Sequence, residues 1–240
     1  TYLFRWQVWG LIRFFPPHIC YPSNDGSIVY EYINGGGDIY AITDDQEVII
    51  NCWVKNQDIS PKVAKFILSK IADINKKDRN GMSILHYANS RIWVKSILEK
   101  GADINIKSTD KQHTPLHLAY SKPIEVAKYL IKKSAEINAV DADGKTPLHL
   151  VFDSLASVEE PTKEQIYLVN LFIQNGARIN SSIKTKEAKT LLHQTKSAEL
   201  AEFIIAQGVN VNAKDENGNT PLHFAVSIKN NQLVNLLIRN

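Results

Sequence analysis

The chain has 240 residues, 44% hydrophobic and 22% charged, and 28 Lys and Arg against 25 Asp and Glu leave a net charge of +3; this is the balance of a folded globular chain and lacks the concentrated basic stripe of a nucleic-acid binder. No apolar run reaches the roughly 20 residues that a membrane-crossing helix needs. Cys20 and Cys52 form neither a CxxC pair nor a disulfide framework, so reduced thiols in an intracellular, cytoplasmic setting are expected.

In chain order, ten large apolar residues crowd positions 2–15, broken by Arg5, Gln7 and Arg13, a poor fit to a signal-peptide core. Three readings fit this segment: a cap over an otherwise open apolar face, the tail of an upstream region, or an amphipathic helix on a membrane surface. Ile28 to Asn34 reads as a short helix. Val48, Ile49, Ile50 and Trp53 mark another, and Val63 to Leu68 a third. From there the chain repeats itself. Ser83-Ile84-Leu85-His86-Tyr87-Ala88 is followed by Thr114-Pro115-Leu116-His117-Leu118-Ala119, then Thr146-Pro147-Leu148-His149, Thr190-Leu191-Leu192-His193 and Thr220-Pro221-Leu222-His223. The histidines lie 31, 32, 44 and 30 residues apart. A second landmark recurs out of phase with the first, as Ala72-Asp73-Ile74-Asn75, Gly101-Ala102-Asp103-Ile104-Asn105, Ser134-Ala135-Glu136-Ile137-Asn138, Gly176-Ala177-Arg178-Ile179-Asn180 and Gly208-Val209-Asn210-Val211-Asn212.

The local physics gives each unit a helix, a turn, a second helix and a loop. Thr114 is placed to cap a helix through its hydroxyl, with Pro115 at the first helical position, where a missing N–H costs nothing. Val126, Ala127, Leu130 and Ile131 make the stripe of a buried helical face. Gly101 and Gly208 stand where a left-handed residue ends a helix. Asp141-Ala142-Asp143-Gly144 and Asp215-Glu216-Asn217-Gly218 are turn formers.

The two landmarks resemble the ankyrin repeat, whose signature is T-P-L-H-x-A, over about residues 28–240. The resemblance implies an all-α ankyrin-repeat solenoid of helix-turn-helix units with projecting β-hairpin loops. Residues 1–27 stand apart. The array has a partial unit over 28–44, units at about 45–76, 77–106, 107–139, 140–180 and 181–212, and a truncated unit over 213–240. The longest departure lies between His149 and His193, where Ser157 to Lys163 predicts an extended inter-helix loop and Ile166 to Gln174 the second helix. It is read as a tolerated surface loop, with a place near a binding face as the alternative.

Chemistry-bearing residues are sparse. His86, His117, His149, His193 and His223 sit about one repeat apart and cannot converge on a metal; the resemblance makes them structural, bonding backbone groups of adjoining loops. His18 and Cys20 lack zinc-site spacing. Gly35-Gly36-Gly37 follows a helix instead of opening one, the wrong side for phosphate, and no nucleophile elbow occurs. No enzyme activity, metal or cofactor is expected.

Partners of ankyrin proteins bind along the concave side. The resemblance therefore puts candidate contacts at the loop tips: Arg79, Asn80 and Met82; Asp110, Lys111 and His113; Asp143 and Lys145, beside Ala142; Lys186, Glu187 and Lys189; Glu216, Asn217 and Asn219. Arg79 stands out because Arg is enriched at hot spots, and His113 because it replaces a smaller turn residue. The expected function is a monomeric module binding a protein partner, without nucleic acid or membrane. One alternative is the targeting region of a larger secreted effector or enzyme. The degenerate repeats and the Lys-, Asn- and Ile-rich composition resemble ankyrin proteins of intracellular bacteria, which would place it in host cytoplasm. A membrane-associated ankyrin protein is the second alternative.

Overall fold

The computed structural model describes residues 26–42, 48–55, 59–155, 158, 160–179 and 189–240. The three readings of the N-terminal segment, the His18 and Cys20 pair, the tips Lys186 and Glu187, and part of the insertion lie outside the described residues. Among those described, all regular structure is helical apart from two isolated antiparallel bridges, Ile42 with Val48 and Lys77 with Ser83. No described helix is long and apolar enough to cross a membrane.

The chain divides into two compact units between Thr109 and Asp110. In the first, helices α1 (Ser27–Asn34), α2 (Ile49–Lys55), α3 (Pro61–Ser69), α4 (Ile84–Tyr87) and α5 (Arg91–Glu99) follow one another. Ser60 and Ser90 start α3 and α5 by accepting N–H bonds from Val63 and Trp93, and Pro61 takes the first helical position of α3. Helix α2 packs on α4, and α3 on α5. Their apolar faces enclose Trp53 and Trp93, both at 0% exposure. Tyr32 of α1 meets the Trp53 ring edge-on at 5.9 Å, a favourable aromatic geometry. Cys52 is disulfide-bonded, which corrects the expectation of reduced thiols for this residue. A lone pair of cysteines far apart in the chain leaves no spacing pattern from which to read it.

The second unit holds a 3-10 helix (Pro115–Ser121), α6 (Ile124–Lys132), α7 (Pro147–Leu155), α8 (Lys163–Gln174), a 3-10 turn (Leu191–His193), α9 (Ala198–Ala206), α10 (Pro221–Ser227) and α11 (Asn231–Arg239). First helices pack on first helices and second on second: α7 on the 3-10 helix, α8 on α6, α11 on α9. Leu116, Leu148, Phe152, Val169 and Phe172 fill the core at 2% exposure or less. Two first helices are therefore 3-10 where a regular helix was expected. Around the insertion, α8 begins at Lys163, earlier than the expected Ile166. Thr162 explains the earlier start. Its hydroxyl accepts the Gln165 N–H at 3.3 Å, and the Gln165 side chain accepts the Thr162 N–H at 2.8 Å, a reciprocal cap.

Three hairpin tips share one closure. Asp78 Oδ1 accepts the N–H groups of Asn80 and Met82, Asp141 those of Asp143 and Lys145, and Asp215 those of Asn217 and Asn219. A short carboxylate bonding backbone two and four residues on is an Asx-type turn. At Asp215 partial burial works against ionisation, but these N–H bonds outweigh it and hold the carboxyl below its usual range.

Candidate partner-binding surface

The framework that holds the tips is built on the motif histidines. The Thr114 N–H donates to His117 Nδ1 at 3.1 Å, with Thr114 Oγ1 at 2.8 Å from the same nitrogen. The far nitrogen, Nε2, lies 3.1 Å from the Lys145 carbonyl of the next hairpin. A nitrogen facing an N–H must accept, and one facing a carbonyl must donate. The ring is therefore the neutral tautomer with its proton on Nε2. His193 repeats the arrangement with Thr190 behind it and the Asn219 carbonyl ahead at 3.0 Å. Each such ring straps its own repeat to the following hairpin.

The second landmark supplies another strap, which the sequence did not reveal. Asn75 Oδ1 accepts the Asp103 N–H at 2.9 Å, from one repeat to the next. Asn138 does the same for Arg178 at 2.8 Å and donates to the Gly176 carbonyl at 3.0 Å. The recurrence of Asn at this place was the signal, and its partner one repeat later was invisible without the fold.

The proposed contact residues fall into two groups. Arg79, Asn80, Asp110, Lys111, Glu216, Asn217 and Asn219 are exposed. Met82, Asp143, Lys145 and Lys189 are half-buried. His113 turns inward, with Nε2 at 3.3 Å from Asp141 Oδ2 and its ring stacked on His117 at 5.5 Å. Lys145 reaches Asp153 at 2.6 Å, and Asp153 also accepts from Gln194 Nε2 at 2.7 Å. His113 and Lys145 are thus engaged with the protein itself, while the first group faces water. Among the described residues no cluster of three or more His, Cys, Asp or Glu could hold a metal ion.

These features, buried His straps under exposed tips of changing sequence, agree with the comparisons. The family model for ankyrin repeats, in three-copy form, matches residues 89–160 and 154–240. The nuclear factor NF-kappa-B p105 subunit of Gallus gallus is 31% identical over 176 residues, covering 68% of this chain and 17% of that protein. The phosphocholine transferase AnkX of Legionella pneumophila is 27% identical over 212 residues, covering 87% of this chain and 21% of that protein. The chain thus spans about a fifth of the length of these relatives. The solved ankyrin repeat domain of Bcl-3 matches with a TM-score of 0.65 at 20% identity, over 93% of this chain and 96% of that one, a likeness of fold. With the repeat motif, the His straps and the family match in agreement, the chain belongs to the ankyrin-repeat family.

Proposed function

Ankyrin repeats are protein–protein interaction modules. We propose that this chain is such a module, non-catalytic and free of cofactor, and that it binds a protein partner through its hairpin tips. The observation that carries the reading is the contrast within each hairpin. Asp78, Asp141 and Asp215 repeat one closure, while the exposed positions beside it change from Arg79 and Asn80 to Ala142 to Glu216 and Asn217. A fixed frame with variable exposed tips encodes specificity without altering the fold.

The test starts with affinity capture and mass spectrometry from the source cell, followed by binding of the purified partner. Combined Arg79→Glu, Lys111→Glu and Glu216→Lys should weaken binding about tenfold or more, since few residues carry most interface energy, with no change in melting temperature. Unchanged affinity removes the tips as the interface.

A second reading has its own support. AnkX covers 87% of this chain with 21% of its own length, so similar repeats form a minor part of a longer enzyme. On this reading the array targets a larger effector whose chemistry lies elsewhere. A reading frame running from a Met directly before Thr1 to a stop after Asn240 would remove it.

A further inference from the structure

One junction in the first unit is strapped differently. The Ile42–Val48 and Lys77–Ser83 bridges make Val48 the counterpart of Ser83, so Ile49, Ile50 and Asn51 stand where Pro115, Leu116 and His117 stand. Asn51 Nδ2 donates to Asp78 Oδ2 of the next hairpin at 2.8 Å, where His117 bonds the Lys145 carbonyl. Beside this junction lies a cleft of about 380 Å³, lined by Ile50, Asn51 and Met82 among others. Its volume is within the roughly 300–1,000 Å³ of ligand-binding clefts.

The cleft has an apolar floor and a cationic rim. Ile42, Val48, Ile71 and Ile74 join Ile50 and Met82 along its walls. Lys76, Lys77 and Arg79 stand exposed at its mouth. Lys76 lies 4.7 Å above the Tyr40 ring, but among the described residues no carboxylate pairs with Lys77 or Arg79. Of the two lining carboxylates, Asp78 is spent inside the protein. Its Oδ1 closes the hairpin, and its Oδ2 accepts from Asn51 Nδ2 at 2.8 Å and the Tyr87 hydroxyl at 2.7 Å. Asp73 turns Oδ1 to the Asn75 N–H at 2.9 Å. Among the described residues, the opening thus offers two cations without a carboxylate partner beside apolar surface.

We infer that this cleft receives one bulky apolar side chain of the protein partner, carried on an acidic segment whose carboxylates meet Lys77 and Arg79. The inference rests on the protein-binding reading above and names the chemistry of the partner at one place. An apolar side chain gains by leaving water for the isoleucine floor, and flanking acids match the cationic rim and speed encounter.

Phage-displayed random peptides of about a dozen residues, selected on the full 240-residue chain, supply the probes. The enriched sequences should share one Leu, Ile or Phe flanked by Asp or Glu. Fluorescence anisotropy with the synthetic peptides should show affinity falling about tenfold or more for Lys77→Glu with Arg79→Glu, a surface change that leaves the core intact. Enriched peptides without acids, or affinity unchanged within about twofold in a Lys77→Glu and Arg79→Glu chain of wild-type melting temperature, overturn the inference. The captured partner separates the two readings. If it releases the Lys111→Glu and Glu216→Lys chain but holds the cleft variants, the cleft is wrong and the module reading stands. If it releases only the cleft variants, the cleft stands and the wider tip surface falls.

Discussion

Ser134 carries a β-carbon where its sister positions have none. Gly101, Gly176 and Gly208 end their helices at φ of 93°, 88° and 80°, and Ser134 takes the same left-handed region at 64°. A side chain there costs roughly 1–2 kcal/mol. The residue is exposed, so its removal exposes no cavity. Ser134→Gly should raise stability by about 1 kcal/mol in urea unfolding; a loss would mean the hydroxyl outweighs the strain. His149 governs a second effect. Burial is the main cause that lowers its pKa from 6.5 to about 4, with Lys145 adding to the fall and Asp153 opposing it. Above 6.5 the ring is neutral both folded and unfolded, so it adds nothing. Between 6.5 and 4 the unfolded chain takes up the proton first, and the fold loses about 3 kcal/mol. Chemical-denaturation midpoints should fall across that window, and His149→Gln should flatten the fall. That these histidines cannot share one metal was legible from their one-repeat spacing, and the family resemblance implied their structural role. Their tautomer was not legible, because it depends on the carbonyl one repeat ahead.

At the scale of elements, the first helices are held by their leucines. Leu148 has 0% exposure and sits between the 3-10 helix and α8, both of which α7 packs against. Leu148→Ala should cost about 2–5 kcal/mol. Leu222, in the same motif position, is only half-buried, so Leu222→Ala should cost clearly less. Equal costs in urea titrations would contradict the role assigned to stacking. Sequence periodicity located these helices well, since a four-residue stripe marks a buried face whichever repeat it is in. It did not distinguish 3-10 from α in Pro115–Ser121, because i→i+3 and i→i+4 bonding leave much the same apolar spacing over two turns. The early start of α8 was readable in principle: Thr162 and Gln165 have the spacing of a capping box.

Over the whole molecule, burial is uneven, and stability should follow it. Within the second unit, α7 lies among neighbours on both sides, whereas Val226 and Ile238 are 58% and 66% exposed. Repeat arrays open locally where stacking is thinnest. Amide hydrogen exchange should therefore be faster in α10 and α11 than in α7, and the reverse order would show that stacking does not set the gradient. The candidate surface was legible as a set of tip positions and not as a set of contacts. Arg79 and Glu216 point to water, but His113 and Lys145 turn to Asp141 and Asp153, a choice made by the packing of hairpins rather than by hairpin sequence. The cleft beside Ile50 was likewise hidden, since it is lined by residues of two successive repeats that only the fold brings together.

The straps have a spectroscopic consequence. A neutral imidazole that donates from Nε2 to a carbonyl, as His117 and His193 do, keeps a ring proton away from solvent. Such protons resonate downfield of the crowded amide envelope. One-dimensional proton spectra in water would then carry a separate line for each strapped junction. Warming the sample would erase those lines in the order in which the repeats come apart.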